Sequence, residues 1–242
     1  GLFGLTVAER INSLLGPQCV VLEKRSQIGG NAASFRDSAT GIEVHKYGSH
    51  LFHTSNERVW RYVNRFTSFN DYQHRVFSIH EGKVFPLPIN LGTICQFVGR
   101  HMTPSEARQW VQDQQDETRA HEQNNLEERA LALVGKDLYE AFFKHYTWKQ
   151  WQTDPRDLPA SVINRLPVRF NFNYRYFSDT WEGLPLDGYQ AWFTHMIRSA
   201  EVDVRLGVDF FQVRSEISPA QIVVYTGPLD AYFGYRFGQL GW

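Results

Sequence analysis

Cysteine is scarce: Cys19 and Cys95 are the only two in 242 residues. Neither stands at a spacing that suggests a disulfide framework or a zinc site. Their apolar settings predict buried thiols in a reducing compartment. Long hydrophobic runs are lacking too, so no membrane span is expected. With no signal peptide visible, the expected location is the cytoplasm. A surplus of either charge is also missing, with 25 Lys and Arg against 26 Asp and Glu. That balance excludes a broad polyanion-binding stripe, argues against nucleic acid as a partner, and leaves phosphate recognition to a few local residues. What the chain does have is aromatic side chains, 7 Trp, 11 Tyr and 18 Phe, concentrated in its middle. Core packing is their default explanation. A pocket for flat rings is the sharper one.

The opening GLFGLTVAERINSLLG places Val7, Ala8, Ile11, Leu14 and Leu15 at helical spacing, with Gly16 and Pro17 as the stop. CVVLEK then reads as a buried parallel strand, and SQIGGNAAS as a glycine loop. Helix, strand and glycine loop in that order make half of a nucleotide-binding βαβ unit. A sheet without the strand preceding that helix would leave backbone groups unpaired, so the chain reads as incomplete at its start. Residues 55–66 predict a helix with Val59, Trp60, Val63 and Phe66 as its stripe. RVFSIH and KVFPLPI flank Glu81-Gly82 as a hairpin. Helices are expected over 91–98, 104–119 and 126–146, the second opened by a Thr103–Glu106 capping box. PVRFNFNYRYF predicts extended chain and 189–197 a helix. VDVRLGV, FFQV and QIVVYTG predict strands.

Three constellations carry chemistry. Gly1-Leu2-Phe3-Gly4 matches the last four positions of G-x-G-x-x-G, where glycines admit a pyrophosphate and allow close helix–strand packing. The helix N-terminus offers free N–H groups to phosphate. Glu23 follows at the distance where an acidic residue holds ribose hydroxyls. GxxG alone is a weak signal. The pair Gly29-Gly30 strengthens it and favours FAD over NAD. Thr226-Gly227-Pro228 alone reads as an ordinary turn.

The second constellation is HKYGSHLFHT, which holds His45, His50 and His53. No accompanying ligands stand at a familiar zinc spacing, so no metal is expected. Histidines there can instead bond a flavin ring. The third is LYEAFFKHYTWKQW, with Tyr139, Phe142, Phe143 and Tyr146 on one helix face and Trp148 and Trp151 at its end. Core packing and ligand contact are about evenly balanced for Phe142 and Phe143. RLPVRFNFNYRYF adds Arg165, Arg169, Tyr174, Arg175 and Tyr176. Aromatic platforms with a guanidinium suit a nucleoside diphosphate. Surface ion pairing is the plainer reading of Arg169 and Arg175.

As a set, GLFGLTVAER, VVLEKRSQIGGNAAS, HKYGSHLFHT, LPINL, YEAFFKHYTWKQWQTDP, LPASVINRLPVRFNFNYRYF, EGLPLDGY and VVYTGPLDAYF resemble the bacterial UDP-galactopyranose mutases along the whole chain. The resemblance implies an α/β fold, with a Rossmann-like FAD domain, an inserted helical domain and a small antiparallel sheet domain. The corresponding ranges are 1–70 and 187–242 for FAD, 71–90 and 160–186 for the sheet, and 91–159 for the helices. It implies FAD contacts from Gly1, Gly4, Glu23, Lys24, Gly29, Gly30, Asn31, Phe211, Thr226 and Gly227, with His50 and Leu51 against the flavin. Phe142, Phe143, Tyr146, Thr147, Trp151, Tyr176 and Asn90 would line the UDP-galactose cleft. Arg165 would hold the diphosphate, and Arg165 and His50 would be the catalytic pair.

The implied reaction interconverts the pyranose and furanose forms of UDP-galactose without net redox. It passes through a sugar adduct on N5 of reduced FAD, a covalent catalysis that the cofactor supplies. A nicotinamide or other reductant is the expected second partner, and a homodimer is compatible. The chain stops at GQLGW, before a second diphosphate arginine of the family, so it reads as incomplete at both ends. A redox flavoenzyme of the amine oxidase-like class would share the glycines and Glu23. It would not need Arg165 with Tyr146, Trp151 and Tyr176.

Overall fold

The computed structural model describes residues 1–16, 19–115, 123–165, 167–218 and 222–240, with backbone alone at 164 and 165. The chain runs α1 (Leu2–Leu15), β1 (Val20–Glu23), β2 (Ser34–Arg36), β3 (Glu43–His45), β4 (Phe52–Thr54) and α2 (Glu57–Val63). It continues through β5 (Val76–His80), β6 (Lys83–Leu87), α3 (Leu91–Val98), α4 (Pro104–Asp113), α5 (Leu126–Val134) and α6 (Lys136–Tyr139). A π-helical turn, Glu140–Lys144, leads into α7 (His145–Trp151). Then come β7 (Trp181–Gly183), α8 (Gly188–Ser199), β8 (Asp203–Leu206), α9 (Phe210–Val213) and α10 (Leu229–Tyr232). These elements form two compact units, 1–72 with 179–242, and 73–178.

In the first unit β1 pairs in parallel with β8, from Val20↔Asp203 to Glu23↔Leu206. Two antiparallel ribbons accompany them, β2–β3 and β4–β7. Leu5, Ile28, Val63, Phe66, Tyr189, Trp192, Phe193 and Met196 form the core. Gly16 ends α1 in the left-handed region at φ 76° and donates its N–H to the Asn12 carbonyl, as a glycine C-cap does. The buried face of α1 is Leu5, Ala8 and Glu9, while Leu14 and Leu15 are exposed. The expected stripe is therefore turned, because a carboxylate with partners takes a core position. Glu9 accepts from Tyr62 Oη at 2.7 Å, Ser13 Oγ at 2.9 Å and Arg10 Nε at 2.7 Å, tying α1 to α2. On α2, Val59 is exposed and Val63 buried.

The second unit packs the β5–β6 hairpin, helices α3 to α6 and the π-helical turn around one core, from Phe85 and Ile89 through Leu138 and Phe142 to Ile163. The hairpin and helices expected in separate domains thus share a single interior. Glu81 and Gly82 both take positive φ, 49° and 73°, at the hairpin turn, the twist that a two-residue hairpin favours. The capping box opening α4 is present: Thr103 Oγ1 accepts from the Glu106 N–H and Glu106 Oε2 from the Thr103 N–H.

Four expected elements differ. The helix from Pro104 ends at Asp113. The 126–146 helix breaks at Gly135, whose φ of 78° and ψ of 172° no helix accommodates. FFQV is helical because Asp209 Oδ1 accepts the Phe211 N–H at 3.0 Å and caps it. Residues 222–227 carry no strand, and Ile222, Val223 and Val224 lie exposed rather than against a neighbour.

Candidate functional site

The first unit builds a glycine cradle at the start of α1. The helix opens on Gly1 with neither a capping side chain nor an acid in its first turn. Its first N–H groups and positive dipole end therefore have no competing anion on the helix itself. Gly30 lies against Gly1, where a Cβ on Gly30 would fall 2.9 Å from the Gly1 Cα. A Cβ on Gly29 would fall 2.7 Å from the Phe193 ring, so each glycine of the pair has its own steric reason. Gly4 meets Thr226, at 3.5 Å from a built Cβ to Oγ1.

Glu23 ends β1 beside this cradle, its Oε2 at 3.5 Å from the Gly1 nitrogen and its Oε1 accepting the Arg25 N–H at 3.0 Å. The Arg25 guanidinium donates to Asn31 Oδ1 at 3.0 Å and lies over the Tyr47 ring at 4.5 Å. Sequence reasoning singled out neither Arg25 nor Tyr47; the signal available was the Arg two residues after Glu23. Lys24 pairs with Asp209 at 2.8 Å, and this contact holds the Asp209 carboxyl below its ordinary range. Phe211 packs with Phe210 and Tyr225, and Gly227 sits under the Tyr225 ring.

His50 and Leu51 lie between β3 and β4. The His50 N–H donates to His45 Nδ1 at 3.0 Å, and its carbonyl accepts from Tyr189 Oη at 2.9 Å. Burial, with the neighbouring His50, pushes the His45 pKa down, in keeping with its acceptor role. His53 Nδ1 meets Asp179 Oδ2 at 2.6 Å. Among the described residues no cluster of three His, Cys, Asp or Glu could hold a metal, and no helix is long and apolar enough to cross a membrane.

In the second unit the candidate substrate residues divide. Phe142 is a core residue, its ring 5.1 Å from Phe85 and 5.8 Å from Phe97, and Phe143 is buried as well. The π-helical turn adds a residue to the repeat. Tyr146 consequently leaves the face that Tyr139 and Phe142 share and is 64% exposed. Trp148 and Trp151 are exposed on α7 too, while Thr147 is buried. Asn90 is fully buried and occupied with the start of α3. Its Oδ1 accepts from the Gly92 and Thr93 N–H groups, and its Nδ2 donates to the Pro88 carbonyl. This accounts for Asn90 without a ligand. Arg165 belongs by its backbone to a 3₁₀ turn, Ala160–Arg165, and its side chain lies outside the described residues.

Arg169 is neither a surface ion pair nor an open cation. Its Nη1 donates to the carbonyls of Asn173 and Arg175, and its Nη2 to the Tyr176 carbonyl and Ser178 Oγ. Tyr176 also donates its N–H to the His74 carbonyl at 2.8 Å, with its ring edge-on to the His74 ring.

These features fit a dinucleotide such as FAD: an uncapped 14-residue helix, backbone-to-backbone glycine packing that leaves no Cβ in the way, and a carboxylate at the adjoining strand end. Comparison with known proteins points the same way. Residues 1–66 match a family model described as an NAD(P)-binding Rossmann-like domain, and residues 141–242 one described as UDP-galactopyranose mutase. A probable UDP-galactopyranose mutase of Klebsiella pneumoniae is 40% identical over all of this chain and 62% of its own length. A dTDP-fucopyranose mutase of Escherichia coli is 38% identical over 99% of the chain and 64% of its own length. A crystal structure of reduced UDP-galactopyranose mutase superposes with a TM-score of 0.62 at 18% identity, covering 85% of this chain and 46% of that one. At that identity the superposition speaks for the fold alone. The chain spans about three-fifths of the length of the curated relatives it matches. In sequence, its residues 141–242 match the UDP-galactopyranose mutase family model, and the whole chain is similar to curated sugar-nucleotide mutases.

Proposed function

We propose that the protein is a flavin-dependent nucleotide-sugar mutase that interconverts UDP-galactopyranose and UDP-galactofuranose. The observation that carries this reading is the Gly1–Gly30 cradle with Glu23 beside it, in a chain 40% identical to a probable mutase of that specificity. The N-terminus of α1 would receive the FAD pyrophosphate, with Gly4, Gly29, Asn31, Thr226 and Gly227 around it. Glu23 would accept the ribose hydroxyls. His50 and Leu51 would lie against the flavin, with the His50 backbone held by His45 and Tyr189. Reduced FAD, when bound, would supply a nucleophilic ring nitrogen for the anomeric carbon, and a nicotinamide or other donor would keep it reduced.

The chain's own residues would then bind and orient the substrate. The exposed rings of Tyr146 and Trp151, with Tyr176, offer flat surfaces for the uridine and sugar. Arg165 would stabilise the charge that develops on the departing diphosphate, through paired N–H donors. The test is turnover by the full-length protein before and after dithionite reduction. Activity that appears only after reduction and consumes no stoichiometric reductant supports the mutase. Stoichiometric electron transfer to a sugar product would point to a redox enzyme of the amine oxidase-like class.

A second substrate reading has its own observation, the 38% identity to a dTDP-fucopyranose mutase. The ratio of kcat/KM for the UDP- and dTDP-sugars separates the two.

A further inference from the structure

The stretch 167–177 follows a 3₁₀ turn, forms no strand and still holds a defined path. Asn171 and Asn173 each accept a backbone N–H two residues on, and the Arg169 side chain gathers the second half of the stretch. A guanidinium has five N–H donors in a rigid fork. Nη1 of Arg169 reaches the Asn173 carbonyl at 3.2 Å and the Arg175 carbonyl, while Nη2 reaches Ser178 Oγ at 2.9 Å and the Tyr176 carbonyl at 3.5 Å. Four acceptors within six residues of chain thus converge on one cation. Its own backbone is anchored as well, because the Arg169 N–H donates to the Ile89 carbonyl at 2.9 Å.

Tyr176 is bracketed by this arrangement. Its carbonyl and that of Arg175 face the guanidinium, and its N–H donates to the His74 carbonyl at 2.8 Å. With the backbone fixed on both sides, the ring sits edge-on to His74 at 5.5 Å and to Phe177 at 5.1 Å, half-buried. Building on the nucleotide-sugar reading above, we propose that Arg169 is a positioning residue that acts through Tyr176, holding its ring in place to receive the nucleotide-sugar. Lysine cannot substitute fully, since one ammonium centre lacks the planar fork that spans carbonyls so far apart.

The test is a double-mutant cycle on UDP affinity in the full-length protein, with UDP itself as the probe and bound flavin and melting temperature as controls. Arg169→Ala is expected to weaken UDP binding about tenfold when Tyr176 is present, and less than about twofold in a Tyr176→Ala background. Bound flavin stays unchanged, because its candidate residues belong to the other unit. Should the alanine variant fail to fold, Arg169→Lys carries the same cycle with a loss of about threefold that again vanishes without Tyr176. A general loss of structure would instead weaken UDP binding equally in both backgrounds, and that result, or no loss at all, overturns the proposal. Wild-type protein that binds no UDP would overturn the nucleotide-sugar reading and this one together. Equal losses with wild-type binding intact overturn only the link to Tyr176.

Discussion

The Gly30 and Gly1 backbones touch: a Cβ on Gly30 would stand 2.9 Å from the Gly1 Cα, closer than side-chain carbons come to any neighbour. Gly30 also takes φ 60°, so a side chain there is strained in two ways. Gly30→Ala is expected to push the glycine loop off α1 and to lose bound flavin. Gly41→Ala is the control, because Gly41 has φ 70° but open space around it. It should cost only the left-handed backbone penalty, about 1 kcal/mol, with flavin retained. Absorbance of the purified proteins and their melting temperatures check both. Flavin retained equally by the two variants would remove the steric reason for the glycine pair.

Glu9 gives the fold a predictable response to acid. Burial alone would raise its pKa, but hydrogen bonds from Arg10, Tyr62 and Ser13 outweigh burial and hold it below the ordinary 4.5. A carboxyl with a depressed folded pKa contributes stability above its unfolded value and loses it as pH falls through the folded one. The wild type should therefore lose stability below about pH 4.5 more steeply than Glu9→Gln. At neutral pH the glutamine variant should be less stable by roughly 1–3 kcal/mol, since it weakens charged hydrogen bonds in a buried place. Urea melts at pH 7 and pH 4 measure both. Parallel pH profiles would show that Glu9 does not link α1 to α2 as a carboxylate.

Much of the local structure was legible in the sequence, because the signals concerned are themselves local. Thr103 with Glu106 and the Glu81-Gly82 turn act within four residues, and the structure contains both. The distance from Gly4 to Glu23 likewise reflects one helix and one strand. Long-range partnership was not legible. Periodicity cannot report that Glu9 has Tyr62 to bond, so the apolar stripe includes Leu14, which is exposed, and leaves out Glu9, which is buried. Nor can it report a π-helical turn, which needs one added residue and moves Tyr146 from a buried face to an exposed one. Arg169 looked like any surface arginine because its partners are carbonyls, which every residue has.

Asn90 separates a structural from a ligand role. Its side chain is fully buried and bonded to the Gly92 and Thr93 N–H groups and the Pro88 carbonyl. Asn90→Ala removes the α3 cap and should destabilise the protein by about 0.5–2 kcal/mol, the usual loss for an N-cap. UDP affinity of the folded variant should stay within about twofold of wild type, a difference under 0.5 kcal/mol. A tenfold loss of affinity with unchanged melting would restore the substrate role that the family resemblance implies.

Arg165 and Arg169 stand four residues apart in RLPVRF, yet their losses should be of different kinds. Four of the five Arg169 donors are engaged by the chain, and partial burial pushes its pKa down. It cannot also grip a diphosphate with both arms of the fork. By the resemblance, Arg165 is the residue proposed to hold the diphosphate, and the proposed reaction calls for a cation near the leaving group. Arg165→Ala is expected to lower kcat by the equivalent of roughly 2–5 kcal/mol, the usual loss for one partner of a buried charge pair, with melting temperature and flavin content unchanged. Arg169→Ala is expected to raise KM and lower the melting temperature while reducing kcat at saturation far less. Steady-state kinetics on the reduced full-length enzyme, with melting curves on the same preparations, distinguish the two patterns. A larger fall in kcat for Arg169→Ala than for Arg165→Ala would mean that the diphosphate had been assigned to the wrong arginine.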